Sequence, residues 1–193
     1  MLGVGIVGMP GSGKSALGDV ARKRGVLVLN MGDVVREEII NNGLELTSEN
    51  LLHYAEELRK KHGRGAVAVL VINRLKKLLF EEGKAKALPK VVLIEGLRSP
   101  EEKNVFEKFF DKFYVVAVHA SPKTRYDRIL SRNRPDDFKT IPELKERDYK
   151  ELSFGIGELM AMADFHLVND NKPVHEFIKE CEELIEKILN LDC

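Results

Sequence analysis

The residues Gly8-Met9-Pro10-Gly11-Ser12-Gly13-Lys14-Ser15 fit the pattern G-x-x-x-x-G-K-[ST] and constrain the fold more than any other stretch. The pattern carries meaning only between a strand and a helix. Both are present, because Val4-Gly5-Ile6-Val7 reads as a short apolar strand and Ala16 to Lys23 as a helix. Glycines let the backbone curl until successive amides point into one concavity, which then holds an anion. The helix N-terminus beneath adds partial positive charge. The stretch Gly8 to Ala16 is therefore expected to cradle the phosphates of a nucleoside triphosphate, with Lys14 reaching the terminal ones and the Ser15 hydroxyl placed for Mg²⁺. A glycine-rich turn that matched by chance would lack the flanking strand and helix.

The 193 residues suit one domain with a sizeable core. Lys plus Arg and Asp plus Glu both total 31, so nothing global favours nucleic acid or an anionic membrane surface. No apolar run is long enough for a membrane span, and the loop at residue 8 leaves no room for a signal peptide ahead of it. Cys181 and Cys193 lack metal or redox spacing and read as a core thiol and a tail thiol in a reducing cytosol. With no Trp, no Gln and 32% charged residues, the composition leans towards a thermophilic source.

Further short apolar runs follow at Val26–Leu29, Lys90–Ile94, Tyr114–Val118 and Phe165–Val168. Helical patterns separate them: Asp33 to Asn42, Thr47 or Ser48 to Lys61, and 65–82, which ends before Gly83. Ser99-Pro100-Glu101-Glu102 opens another helix whose apolar side carries Val105, Phe106, Phe109 and Phe110. Ser121-Pro122 starts the next, broken at Arg134-Pro135-Asp136-Asp137. Thr140 with Glu143 then opens a longer one, and the closing helix shows Val174, Phe177, Ile178, Cys181, Leu184, Ile185 and Ile188 at helical spacing. Near-continuous apolar strands alternating with helices predict a parallel sheet covered on both faces. Ligands of such sheets bind outside the carboxyl ends of the strands, where the chain places the glycine-rich loop, Asp33, Glu95, Arg98 and His119.

Two further motifs lie there. Gly32-Asp33-Val34-Val35-Arg36 follows the second strand, and Glu95-Gly96-Leu97-Arg98 follows the third. The pair resembles the G-D-x-x-R and D-G-x-P-R motifs of adenylate kinases and related P-loop nucleoside monophosphate kinases. The resemblance implies that Arg36 and Arg98 clamp the phosphate of the acceptor, and planar guanidinium forks suit that task. It also places Glu95 at the acidic position near Mg²⁺ and its waters. Glu stands here for Asp, and one residue is absent before Arg98. Arg132, Arg134 and Arg147 are similar to the lid arginines of the same family, which close over the phosphates during transfer. Ala163 to Asp170 resembles the last strand and turn of dephospho-CoA kinases, and the whole chain looks closest to an archaeal group of adenylate-kinase-related proteins.

These resemblances imply a three-layer α/β/α P-loop domain over residues 1–193. Its parallel sheet would have five strands in the order 2-3-1-4-5, with an acceptor-binding insert near 32–88 and a short lid near 133–150. They also imply a phosphotransferase that uses Mg·ATP on small nucleotide substrates, as a monomer or small homo-oligomer. The acceptor is expected to be a nucleoside monophosphate. A hydroxyl acceptor such as dephospho-CoA, with Asp33 as base, stays open, as does a P-loop ATPase with no acceptor. Asp33 can equally serve as a helix cap. Arg125 and Arg128 read as solvated surface charges, and His119 and His166 as core histidines.

Overall fold

The computed structural model describes residues 1–80, 88–132 and 138–191. Its centre is β1 (Leu2–Val7), buried at every position, which is why the strand shows no polar alternation. β1 lies between β3 (Val91–Leu97) and β4 (Lys112–His119), and β2 (Leu27–Asn30) and β5 (Phe165–Val168) form the edges. The order is β2-β3-β1-β4-β5 and every pairing is parallel, as expected.

One face of the sheet is covered by α2 (Met31–Asn41), α3 (Ser48–His62), α4 (Ala66–Phe80), α5 (Pro100–Glu107) and α8 (Ile156–Ala161). Val35, Ile39, Val71, Leu75 and Phe106 fill that layer, with Phe110 beneath and Phe109 packed against its edge. The other face carries α1 (Lys14–Lys23) and α9 (Val174–Leu189), which bury Leu17, Phe177, Cys181 and Ile185. α6 (Pro122–Arg132) and α7 (Ile141–Ser153) build a small separate core from Tyr126, Ile129 and Leu144. The caps match the sequence: Thr47 and Ser99 cap α3 and α5, and Thr140 with Glu143 forms a capping box at α7.

Four expectations need correction. β3 runs past Ile94 to Leu97, so Glu95 and Gly96 belong to the strand. Glu95 faces Ile6 and Leu97 faces Val7, so Gly96 is a bulge; its φ of 99° lies in the left-handed region, where a side chain is strained. The long helix after Thr140 is two helices, because Gly155 (φ 101°) turns the chain into α8 and a Cβ there would meet Pro100 at 2.8 Å. His119 and His166 are both exposed, one at the last residue of β4 and the other on edge strand β5. Arg125 is buried, and Arg128 is partly buried, because each has partners on other elements. Gly83, Arg134 to Asp137 and Cys193 lie outside the described residues. Among the described residues no helix is long and apolar enough to cross a membrane.

Candidate active site

The chain leaves β1 at Val7 and turns through the glycine-rich loop directly into α1. Gly13 caps that helix at φ 103°, and a Cβ there would stand 2.2 Å from Asn169 Nδ2, so only glycine fits. Asn169 follows β5 and braces the loop: Nδ2 donates to Ser12 O at 2.9 Å, and Oδ1 accepts from Arg128 Nη2 at 3.1 Å. Lys14 Nζ folds back to donate to Gly8 O (2.7 Å) and Met9 O (3.1 Å). Burial lowers the Lys14 ammonium to about 8, against the pull of Glu151 and Glu95.

At the end of β2, Asn30 caps α2: its side chain accepts from Gly32 N at 2.8 Å and Asp33 N at 3.3 Å. The cap is therefore Asn30 and not Asp33. Asp33 instead accepts from Arg36 Nη1 at 2.8 Å. Gly32 has a packing reason to lack a side chain, since a Cβ would sit 3.0 Å from Asn30 Oδ1 and 3.2 Å from Arg36 Nη1. Asn30 also bonds Glu95, its register partner on β3. Glu95 is only 6% exposed; burial pushes its carboxyl upward, while Lys14 and Arg22 oppose that.

Two cavities open along these strand ends. The first is an open cleft lined by the loop glycines, Lys14, Ser15, Glu95, Arg128, Arg132 and Glu151. Ser15 and Glu95 thus stand on one wall and offer hard oxygen ligands, which suit Mg²⁺. The second has an apolar side of Met31, Val35, Leu51, Ala55 and Val67 and a cationic side of Arg36, Arg59, Arg98 and Arg147. Gly96, Arg98 and Arg147 line both. Asp33 lines neither.

Of the expected site residues, the structure gathers Lys14, Ser15, Glu95, Arg36, Arg98, Arg132 and Arg147 around this double cavity, with Arg132 exposed on the rim. Arg134 lies outside the described residues. Three partners were missed. Glu151 is 2% exposed and lies 3.4 Å from Arg98 Nε and 3.9 Å from Arg147 Nε. Glu102 is buried, accepts from the Arg98 backbone N–H at 2.8 Å, and pairs with Arg59 at 2.8 Å. Arg59 in turn stacks over Phe154, 4.6 Å from the ring centre. The i, i+4 spacing of Arg147 and Glu151 was the one signal in the sequence for the first of these.

A family model described as an AAA domain matches residues 4–151. A UPF0200 protein of Thermococcus onnurineus is 44% identical over 186 residues, 95% of this chain and 96% of its own. Among solved structures, a shikimate kinase from Bacteroides thetaiotaomicron aligns over 98% of this chain and 99% of its own, with a TM-score of 0.61 at 18% identity. A gluconokinase from Sinorhizobium meliloti aligns over 96% and 92%, with a TM-score of 0.52 at 16% identity. The two structures speak to the fold, and the sequence relative to the family. The chain thus belongs to the UPF0200 family of archaeal proteins and is built on the P-loop kinase fold.

Proposed function

We propose that this protein transfers the γ-phosphoryl group of Mg·ATP to a small nucleotide-like acceptor, a nucleoside monophosphate in the first instance. One observation carries the reading: two cavities, one walled by the phosphate-binding loop and the other half apolar and half arginine-lined, share Gly96, Arg98 and Arg147. An apolar side fits a flat base, and a guanidinium side fits the phosphate beyond it. Plain hydrolysis has no use for such a second cavity.

In this reading an acceptor phosphate oxygen attacks the γ-phosphorus, the bond to the β–γ bridging oxygen breaks, and ADP leaves with the electron pair. The acceptor is already anionic, so no proton has to move. The protein's work is positioning and charge neutralisation. The loop amides and Lys14 hold the β- and γ-phosphates. Arg36 and Arg98 hold the acceptor phosphate, and Arg147 with Arg132 neutralises charge on the transferring group. Ser15 and Glu95 are the residues that would hold Mg²⁺ and its waters, and the ion would supply positive charge against the phosphates.

The fold neighbours support a second reading, because they are a shikimate kinase and a gluconokinase, named for acceptors other than nucleotides. A hydroxyl acceptor benefits from a carboxylate that takes its proton. Asp33 suits that role poorly, being tied to Arg36 and absent from both cavity walls. An ATP-consumption screen over nucleoside monophosphates, nucleosides and dephospho-CoA tests the choice. Formation of ADP and a nucleoside diphosphate from one of the monophosphates is expected. Consumption with a hydroxyl acceptor alone would replace the first reading by the second.

A further inference from the structure

Glu151 pairs with both arginines common to the two cavities. It sits on α7 one turn beyond Arg147, and its carboxylate reaches across to Arg98 at the end of β3. Both of its oxygens are buried, and neither accepts a hydrogen bond. The residue nonetheless lines the cleft of the phosphate-binding loop. What it meets is charge: the guanidinium of Arg98 at 3.4 Å, that of Arg147 at 3.9 Å, and the field of the Lys14 ammonium, on which it exerts the largest attraction.

Without this acid, Lys14, Arg98, Arg128, Arg132 and Arg147 would share one cleft with Glu95 as the remaining carboxylate among its described lining residues. Arg98 and Arg147, on separate elements, would then lose the negative charge that stands between them. With it, both are drawn to a common point between the cavities, where a transferring phosphoryl group would pass. The same negative charge opposes an incoming phosphate. Its effects on binding and on transfer therefore have opposite signs.

We propose that Glu151 is a positioning residue that holds Arg98 and Arg147 over the seam between the donor and acceptor cavities, weakening anion binding while speeding phosphoryl transfer. The proposal rests on the phosphotransfer reading above and adds to it the residue that aligns the clamp with the lid-side helix. Glu151 supplies no proton acceptor here, since a phosphate acceptor needs none.

Two variants test it, each measured for pyrophosphate affinity by calorimetry and for turnover of ATP with the acceptor found by the screen, or with water. Glu151→Gln keeps the shape and removes the charge: pyrophosphate should bind about tenfold tighter, while kcat falls by about 10–100-fold. Glu151→Asp keeps the charge and withdraws the carboxylate, so affinity should hold while kcat falls. Weaker binding together with slower turnover in folded Glu151→Gln protein would mark general damage and overturn the proposal, as would two unchanged values. An acid limb in the wild-type pH–rate profile that Glu151→Gln abolishes would also overturn it, in favour of a proton acceptor. A wild-type protein that consumes no ATP with any acceptor or with water would instead overturn the phosphotransfer reading. The pyrophosphate measurement would then still decide whether Glu151 opposes anions at this site.

Discussion

Arg125 and Asp148 meet fork to fork inside the protein, with Nη1 to Oδ1 at 2.9 Å and Nη2 to Oδ2 at 2.5 Å. The same guanidinium donates to Pro10 O of the phosphate-binding loop at 3.1 Å, and through Nε to Ala120 O at 3.2 Å. Tyr126 OH donates to the same carboxylate at 2.8 Å. One arginine thus joins the loop, the end of β4 and α7, the helix that carries Arg147 and Glu151. The helix that carries Arg147 and Glu151 is thus tied to the phosphate-binding loop through this buried pair.

Breaking that pair should be costly in a way that removing it whole is not. Asp148→Ala strands a buried guanidinium at 3% exposure and should cost about 3–5 kcal/mol of stability. Replacing both partners, Arg125→Met with Asp148→Leu, should cost much less, because no charge is then left unpaired. Urea denaturation of the two variants checks this. An Asp148→Ala loss under about 1 kcal/mol would mean the pair is a spectator.

The sheet and the loop were legible because their signals are local. β1, β3 and β4 are buried on both faces, so each stands out as an apolar run between polar helices, and the eight residues of the loop lie directly between a strand and a helix. The role of Arg125 was not legible, since its partner lies 23 residues away on a helix whose packing no periodicity announces. On α6, Arg125, Arg128 and Arg132 recur at helical spacing and look alike. Asp148 buries the first, Asn169 holds the second, and the third stays exposed. Asp33 illustrates the same limit, because Asn30, three residues earlier, has the capping geometry. The histidines misled because a position in or beside a strand does not say whether the residue sits at a strand end, as His119 does, or on an edge strand, as His166 does.

The acceptor clamp makes a separable prediction. Arg36 lines the second cavity and is absent from the wall of the first. Arg36→Ala should raise the acceptor KM sharply and lower kcat by about 10²–10³-fold, with ATP affinity nearly unchanged. Asp33→Asn keeps the shape beside Arg36 and should retain most activity. Steady-state kinetics with each substrate varied would show the split. A nearly inactive Asp33→Asn enzyme that binds both substrates normally would favour a hydroxyl acceptor with Asp33 as its base.

Lys14 links charge, pH and phosphate binding. Its side chain serves the loop carbonyls and not the apolar core, so Lys14→Ala should fold normally and lose transfer. In the protein without nucleotide its pKa is lowered from 10.5 to about 8, because burial disfavours the ammonium. A polyphosphate beside it would restore the charge, so binding should take up a proton wherever the free amine is partly neutral. Pyrophosphate affinity should be flat below about pH 7 and fall by up to about tenfold per pH unit above 8. Stability should move the other way. Between the folded value of about 8 and the ordinary value of 10.5, the unfolded chain holds more protons than the folded one. The penalty for burying charged Lys14 is thus fully present below pH 8 and is relieved as pH rises through that window. Calorimetry in two buffers of different ionisation enthalpy would measure the uptake at pH 8.5, expected in the wild type and absent in Lys14→Ala. Equal proton uptake in both would assign the linkage to another group and remove Lys14 from the phosphate site.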